Sequence, residues 1–188
     1  VNVVAGHADS ASFAAELSPL LSGGTPEAER DLVANTARVV NVTHGFGDVQ
    51  RDALTRCVAI MSRGMAQYQE APSVGGLGTM PDMDKYCYYV AGVVGEMLTT
   101  LFLEHCPSLR PHRERLMTLA VDFGQALQMT NILKDMWEDR ARGACWLPAD
   151  VFQTHGAELG ALESNADADS FNAAVSELIG IAAGHLCR

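Results

Sequence analysis

The sequence predicts an all-α protein. Apolar residues recur mainly at helical spacing, and strand-like alternation is weak throughout. Helix-start and helix-stop residues separate the periodic segments: Thr25 and Pro26 form a capped start, and the glycines of residues 43–47 mark a break. With 188 residues, 48% of them apolar, the chain can enclose a sizeable core, and we predict a single domain over residues 1–188.

The bounds of each predicted element follow from these helix-start and helix-stop residues. The periodicity places helices at residues 12–21, 27–42, 48–69, 82–104 and 111–139, a short element from residue 148 and a last helix from residue 169. Glycines and prolines make residues 71–81 the clearest loop, and residues 141–148 read as a turn. The long helix at 48–69 is expected to turn its apolar side inward, with Leu54, Val58, Met61, Met65 and Tyr68.

Charge and cysteine content exclude several classes of protein. The net charge of −10 disfavours nucleic-acid binding, which needs Lys and Arg to neutralise phosphates. The five cysteines form no CxxC pair, so neither a zinc site nor a disulfide framework is indicated, and we expect reduced thiols in the cytoplasm. Residues 1–7 lack the features of a signal peptide. The chain begins without Met and stops within a helical pattern, so we expect a piece of a longer protein.

Oxygen-bearing side chains recur every fourth residue in the helix predicted at 111–139. Asn131, Asp135 and Asp139 therefore follow one another at about 6 Å along one face. Oxygen ligands of this kind suit Mg²⁺, which typically takes one or two carboxylates together with substrate phosphates. Gln128, one turn earlier, and Lys134, beside Asp135, could contact such a phosphate. The alternative is a solvated helix face.

The segment 86–103 is almost wholly apolar, with Glu96 near its centre. It is a little short for a membrane span and is better explained as the buried centre of a helical bundle. Gly92 and Gly95 allow close approach of a ligand or of a second helix, and both alternatives stay open. An apolar stripe at intervals of four residues could line a greasy tunnel with a polar end: Tyr86, Val90, Val94 and Leu98.

Two long segments resemble the signatures of the squalene and phytoene synthases. Residues 84–95 (DKYCYYVAGVVG) resemble the first signature, and residues 127–143 (LQMTNILKDMWEDRARG) with Trp-Leu-Pro at 146–148 resemble the second. The MSRGM sequence at 61–65 is similar to the family's helix before the first signature. The resemblance is clearest over residues 27–152. It implies an all-α isoprenoid-synthase-type helical bundle around a central cavity, incomplete at both ends.

The resemblance also implies an activity and roles for individual residues. Family members condense two prenyl diphosphates head to head through a cyclopropyl diphosphate intermediate. Asp135 and Asp139 correspond to the second aspartate-rich motif, with Asn131 as a further Mg²⁺ ligand, and Tyr86 to a tyrosine implicated in proton handling or cation stabilisation. Gln128 and Lys134 fall where the family contacts diphosphate, although arginine is more usual at the latter position. Prenyl-channel positions are Val90, Val94 and Leu98.

One family feature has no convincing counterpart in this sequence. The first aspartate-rich motif, DxxxD, should precede Val1; residues 48–52 have its spacing but fall too late in the chain. The segment 84–91 looks closest to squalene synthases, which implies squalene made from farnesyl diphosphate, with NADPH as reductant. Phytoene or dehydrosqualene synthase is the alternative within the family, and a bacterial enzyme is expected. A non-catalytic scaffold relative is the alternative outside it. Loose contact with the inner face of a membrane and the oligomeric state are left open.

Overall fold

The computed structural model describes residues 1–69, 74–161 and 168–188. Within these ranges the chain is helical, and its only β-type pairing is an isolated bridge between Leu77 and Pro148, so the all-α prediction is confirmed. The helices are α1 Ser10–Leu17, α2 Glu27–Ala34, α3 Thr36–His44, α4 Asp48–Gln69, α5 Met80–Cys87, α6 Val93–His105, α7 Arg113–Ala141, α8 Ala149–Thr154 and α9 Ala168–Leu186. A π-helical turn, Tyr88–Gly92, joins α5 to α6.

Contacts divide the chain into two compact units, Val1–Ala59 and Ile60–Arg188, with the boundary inside α4. The single-domain expectation for residues 1–188 therefore stays a prediction. In the first unit, α1 packs against α3, and both contact α2. The His44 imidazole hydrogen-bonds the carbonyl of Val4 at 3.2 Å, which ties the first residues to the end of α3.

The helix predicted at 27–42 is two helices, so that prediction was wrong in its continuity. Asn35 separates α2 from α3 with φ −96° and ψ 13°, outside the helical region. Its side-chain amide donates to the carbonyl of Asp31 at 2.8 Å, and the Thr36 hydroxyl donates to Val33 at 2.7 Å. Local side-chain hydrogen bonds of this kind compete with the helical ladder and end it.

In the second unit, α7 is the central helix and contacts α5, the π turn, α6 and α9. A Cβ added to Gly95 would lie 2.2 Å from the carbonyl oxygen of Ala120, and one added to Gly124 would lie 2.6 Å from that of Ala91. The backbones of α6 and α7 therefore touch where the sequence offers glycine. Of the two uses open to the glycines of this segment, Gly95 serves helix–helix packing.

The apolar helix at 82–104 differs from the predicted regular helix because the π turn interrupts it. A π turn holds one residue more than an α-helical turn, so the regular spacing of the helix is broken at Tyr88–Gly92. Burial falls along the predicted stripe: Tyr86 is 8% exposed, Val90 and Val94 are half-buried, and Leu98 is 42% exposed. The continuous helix Met80–His105 is long and apolar enough to cross a membrane, but only 33% of its most apolar window is buried. The described residues therefore cover this helix only in part, and its place at the centre of a larger bundle stays a prediction.

The loop predicted at 71–81 is described only from Val74 onward, because residues 71–73 lie outside the described residues. Its visible part ends at Thr79, whose hydroxyl and the carboxylate of Asp82 cap the start of α5 reciprocally. The helix at 48–69 has the predicted bounds. On that helix, Ala53, Cys57 and Gly64 are buried, and the five larger residues predicted to face inward are half-buried.

Candidate functional site

The predicted oxygen face lies along the C-terminal half of α7. Asn131 is exposed, the side chain of Asp135 is 40% exposed, and that of Asp139 is 24% exposed. The face therefore enters the protein gradually towards the end of the helix. Among the described residues, no three His, Cys, Asp or Glu side chains are grouped to hold a metal ion. The donor set here is two carboxylates and one amide.

Two basic side chains accompany the carboxylates. The ammonium of Lys134 lies 3.4 Å from Asp135 and is 66% exposed, so the pair is at the surface and open to a ligand. The guanidinium of Arg142 lies 3.9 Å from Asp139. Arg140, which follows Asp139 directly, instead donates to the backbone carbonyls of Val74 and Leu159 at 3.1 and 2.9 Å. Arg140 therefore braces loops around the end of α7.

Tyr86 lies at the buried end of this face. Burial raises the pKa of its phenol to about 12, with Cys87 and the carboxylate of Asp139 as further contributors. The contribution from Asp139 places this carboxylate within electrostatic reach of the predicted catalytic tyrosine. Among the described residues none hydrogen-bonds the Tyr86 hydroxyl, which is left available to a ligand. The phenol stays protonated over the whole physiological pH range.

The remaining predicted residues lie on α7, on the π turn and on α6. Gln128 is half-buried on α7, one turn before Asn131. Val90 packs against the core that contains Tyr86, and Val94 is half-buried at the start of α6. Leu98 is exposed, as are Phe102 on the same helix and Phe123 and Leu127 on α7. The structure thus places Tyr86 within electrostatic reach of Asp139. Leu98 instead lies on an exposed apolar surface.

The loop between α7 and α8 is hydrogen-bonded to the segment that precedes α5, the helix that carries Tyr86. The Leu77 amide donates to the carbonyl of Leu147 at 2.9 Å, and the Ala149 amide donates back to Leu77 at 2.7 Å. Gly76 has φ +83°, and a Cβ there would lie 2.4 Å from the Leu147 oxygen, so this close pairing requires glycine. The pairing holds the Trp146 segment beside the start of α5.

Sequence reasoning missed the side chains around Tyr86 and a second polar cluster. The Trp146 indole stacks on Tyr86, although the Trp-Leu-Pro sequence had been given no role beyond the resemblance.

Asp122, which is 7% exposed, accepts from His185 and Arg188 at 3.1 and 3.0 Å. No sequence signal joins residues 63 and 66 positions apart. The nearby Asp84 has a buried oxygen without a partner, and burial raises the pKa of its carboxyl.

The sequence model of the squalene/phytoene synthases matches residues 3–188. The chain belongs to this family. A squalene synthase of Gibberella zeae is 32% identical over 131 residues, which are 69% of this chain and 28% of the fungal protein. A phytoene synthase of Thermus thermophilus is 36% identical over 104 residues, which are 55% of this chain and 33% of that protein.

The fold also matches a solved member of the family. The protein TcSQS, solved in complex with a ligand, superposes with a TM-score of 0.68 at 24% identity over 95% of this chain and 54% of that chain. The isoprenoid-synthase type of fold implied by the sequence signatures is therefore confirmed. The chain spans about half of the solved structure and less than a third of the fungal synthase.

Proposed function

We propose that the protein is a prenyltransferase that condenses two farnesyl diphosphates head to head, through a cyclopropyl diphosphate, and reduces this intermediate to squalene, with Mg²⁺ and with NADPH as the reductant. The observation that carries the proposal is the row of Asn131, Asp135 and Asp139 along α7, with the buried Tyr86 within electrostatic reach of Asp139. Membership of the squalene/phytoene synthase family and the similarity to a fungal squalene synthase support it.

The donor set on α7 fits the metal. Asn131, Asp135 and Asp139 offer only oxygen, and two carboxylates match the small number that Mg²⁺ takes from protein when substrate phosphates complete its shell. Bound there, Mg²⁺ would neutralise the diphosphate and make it a better leaving group. Both carboxylates remain partly exposed, so a ligand can reach them. Gln128 and Lys134 would then contact the phosphate oxygens.

The chain's own residues can protect and orient the reacting carbon atoms. Departure of diphosphate leaves an allylic cation, which water would quench, so the site needs an apolar wall. Val90 and Val94 supply part of that wall next to Tyr86, and Leu98 extends it. Because its pKa is about 12, the Tyr86 hydroxyl keeps its proton and can direct its dipole to the substrate without becoming a competing nucleophile.

Two other functions are compatible with the same fold. The Thermus thermophilus phytoene synthase is more similar per aligned residue but over a shorter stretch, which keeps phytoene or dehydrosqualene as an alternative product. A non-catalytic scaffold relative is a further candidate. The oxygen face argues against it, since a scaffold has no need for three oxygen-bearing side chains at one-turn spacing.

Product analysis decides between these functions. Purified protein is incubated with isotopically labelled farnesyl diphosphate, Mg²⁺ and NADPH, and hydrocarbons are identified by mass spectrometry. We expect squalene, its loss on chelation with EDTA, and its return on addition of Mg²⁺. Dehydrosqualene, formed whether or not NADPH is present, would identify a dehydrosqualene synthase. A parallel incubation uses geranylgeranyl diphosphate, and phytoene formed from that substrate alone would identify a phytoene synthase. No turnover of either diphosphate would favour the scaffold.

A further inference from the structure

Tyr86 is held between two other aromatic side chains. The Trp146 indole stacks on one face of its ring, with centroids 4.6 Å apart and planes 5° from parallel. The Tyr68 ring meets it edge-on, with centroids 5.1 Å apart and planes at 72°. Stacked and edge-to-face contacts are the arrangements that aromatic pairs prefer, and two together restrict the ring in different directions.

The rings around Tyr86 are themselves anchored. The Tyr68 hydroxyl donates to the carbonyl of Asp82 at 3.3 Å, on the first turn of α5. Trp146 precedes Leu147, whose carbonyl accepts from Leu77 at 2.9 Å across the glycine-dependent pairing of the two loops. Backbone hydrogen bonds therefore fix the chain directly after Trp146, which limits how far the indole can move.

The hydroxyl of Tyr86 contrasts with its ring. The ring is buried and fixed by two neighbours, whereas none of the described residues hydrogen-bonds the oxygen. A tyrosine needed only for packing gains stability by pairing its hydroxyl. A ring held between two neighbours, with an oxygen that has no partner among the described residues, is the arrangement expected of a group held ready for a ligand.

We propose that Trp146 is a positioning residue that holds the Tyr86 phenol in register with the Asp139 end of the oxygen face. The proposal rests on the proposed prenyl transfer and adds to it a residue that acts through Tyr86, without itself touching the reacting atoms. Displacing a group by about 1 Å can cost a hundredfold in rate, so loss of the stack should act mainly on kcat.

Substitution of Trp146 separates positioning from packing. Trp146→Phe keeps a stacked ring, whereas Trp146→Met keeps much of the bulk and removes the ring. We expect kcat to fall about tenfold or more in Trp146→Met with KM changed less than about threefold, and to recover most of its value in Trp146→Phe. Trp137→Leu is the matched control, because it removes an indole that stacks on Phe171 at 5.6 Å and is not among the rings that contact Tyr86 in the described residues.

A spectroscopic readout follows Tyr86 independently of turnover. In protein with isotopically labelled tyrosine, the Tyr86 ring resonance is assigned with Tyr86→Phe. Stacking against the indole should shift it upfield, less so in Trp146→Phe and least in Trp146→Met. If only Trp146→Phe folds, a smaller upfield shift and a two- to threefold lower kcat are expected together.

Several results would overturn the proposal. One is a wild-type kcat in Trp146→Met, and another is an equal loss of kcat in Trp137→Leu. The third is a fall in the kcat of Trp146→Met while the Tyr86 resonance keeps its wild-type position. Inactive wild-type protein on every prenyl diphosphate would instead remove the proposed function, with the Tyr86 resonance still reporting whether the stack exists.

Discussion

At the scale of single residues, burial sets the chemistry of the first signature. Burial raises the pKa of Tyr86 to about 12 and that of the neighbouring Cys87 thiol to about 12 as well. The two groups are therefore neutral at any pH at which the protein would work. A neutral phenol can donate a hydrogen bond, and a neutral buried thiol is a poor nucleophile.

Tyr86→Phe should lower kcat by about a hundredfold, the size of a positioned proton donor, with KM changed less than about threefold. The ring and its stack remain, so the free energy of unfolding should stay nearly unchanged at pH 7. Steady-state kinetics and urea unfolding measure both quantities. An unchanged kcat would return Tyr86 to simple packing.

The same tyrosine predicts a pH dependence. Because the folded pKa of Tyr86 lies above the ordinary value of 10.0, the unfolded state loses this proton first as pH rises. The contribution to stability is complete below pH 10 and is lost between about pH 10 and 12. Urea unfolding across this range should show a steeper loss in wild-type protein than in Tyr86→Phe. Parallel curves would mean that the phenol titrates alike in both states.

Asp135→Asn should abolish turnover, because the neutral amide removes one of the two carboxylates available to Mg²⁺ on α7. Its side chain is 40% exposed, so stability should change by no more than about 0.5 kcal/mol. Glu114→Gln, an exposed carboxylate at the opposite end of the same helix, is the control and should keep wild-type kcat. Full activity of Asp135→Asn at saturating Mg²⁺ would exclude the metal role.

At the scale of elements, the contact between α6 and α7 depends on glycine. Gly95 faces the Ala120 carbonyl and Gly124 faces the backbone of Ala91, so neither site has room for a methyl group. These contacts set how closely the π turn and α6, which follow α5 and its Tyr86, approach α7 and its oxygen face. Both segments are apolar enough for several packings, and the close approach of the backbones selects one.

Gly124→Ala should destabilise the protein by about 1–3 kcal/mol, because its methyl group would push the helices apart. Gly180 is the matched control, being an exposed glycine of α9 with no atom within 4 Å of an added Cβ. There the same change should stabilise by about 0.5–1 kcal/mol through helix propensity. Urea unfolding measures both, and equal effects at the two sites would disprove the close contact.

At the scale of the whole molecule, the free cysteines report which regions open. Cys57, Cys87 and Cys145 are buried and Cys187 is exposed. With iodoacetamide at pH 8, Cys187 should be alkylated first, and Cys87 only after unfolding, because its thiol is both buried and neutral. Peptide mass spectrometry after timed quenching gives the order. Early alkylation of Cys87 would show that the core around Tyr86 opens in the native state.

The sequence by itself determined the helical class, most helix positions and the chemistry of the oxygen face. Apolar periodicity and caps act within a few residues, so the 48–69 helix and the start of the last helix are legible without a fold. Signature segments gave the family, because catalytic residue types stand at fixed spacing in them. Asn131, Asp135 and Asp139 were singled out by their four-residue spacing, and their role as metal ligands stays a prediction.

Tertiary structure alone decided which of these residues meet. The π turn at Tyr88–Gly92 interrupts the regular helix between Tyr86 and Leu98, and no local rule signals that extra residue. Trp146 stacks on Tyr86, 60 residues away in the sequence, and His185 hydrogen-bonds Asp122, 63 residues away. Such contacts depend on how whole helices pack. The sequence shows which side chains are aromatic or charged, but not which of them lie next to each other in the fold.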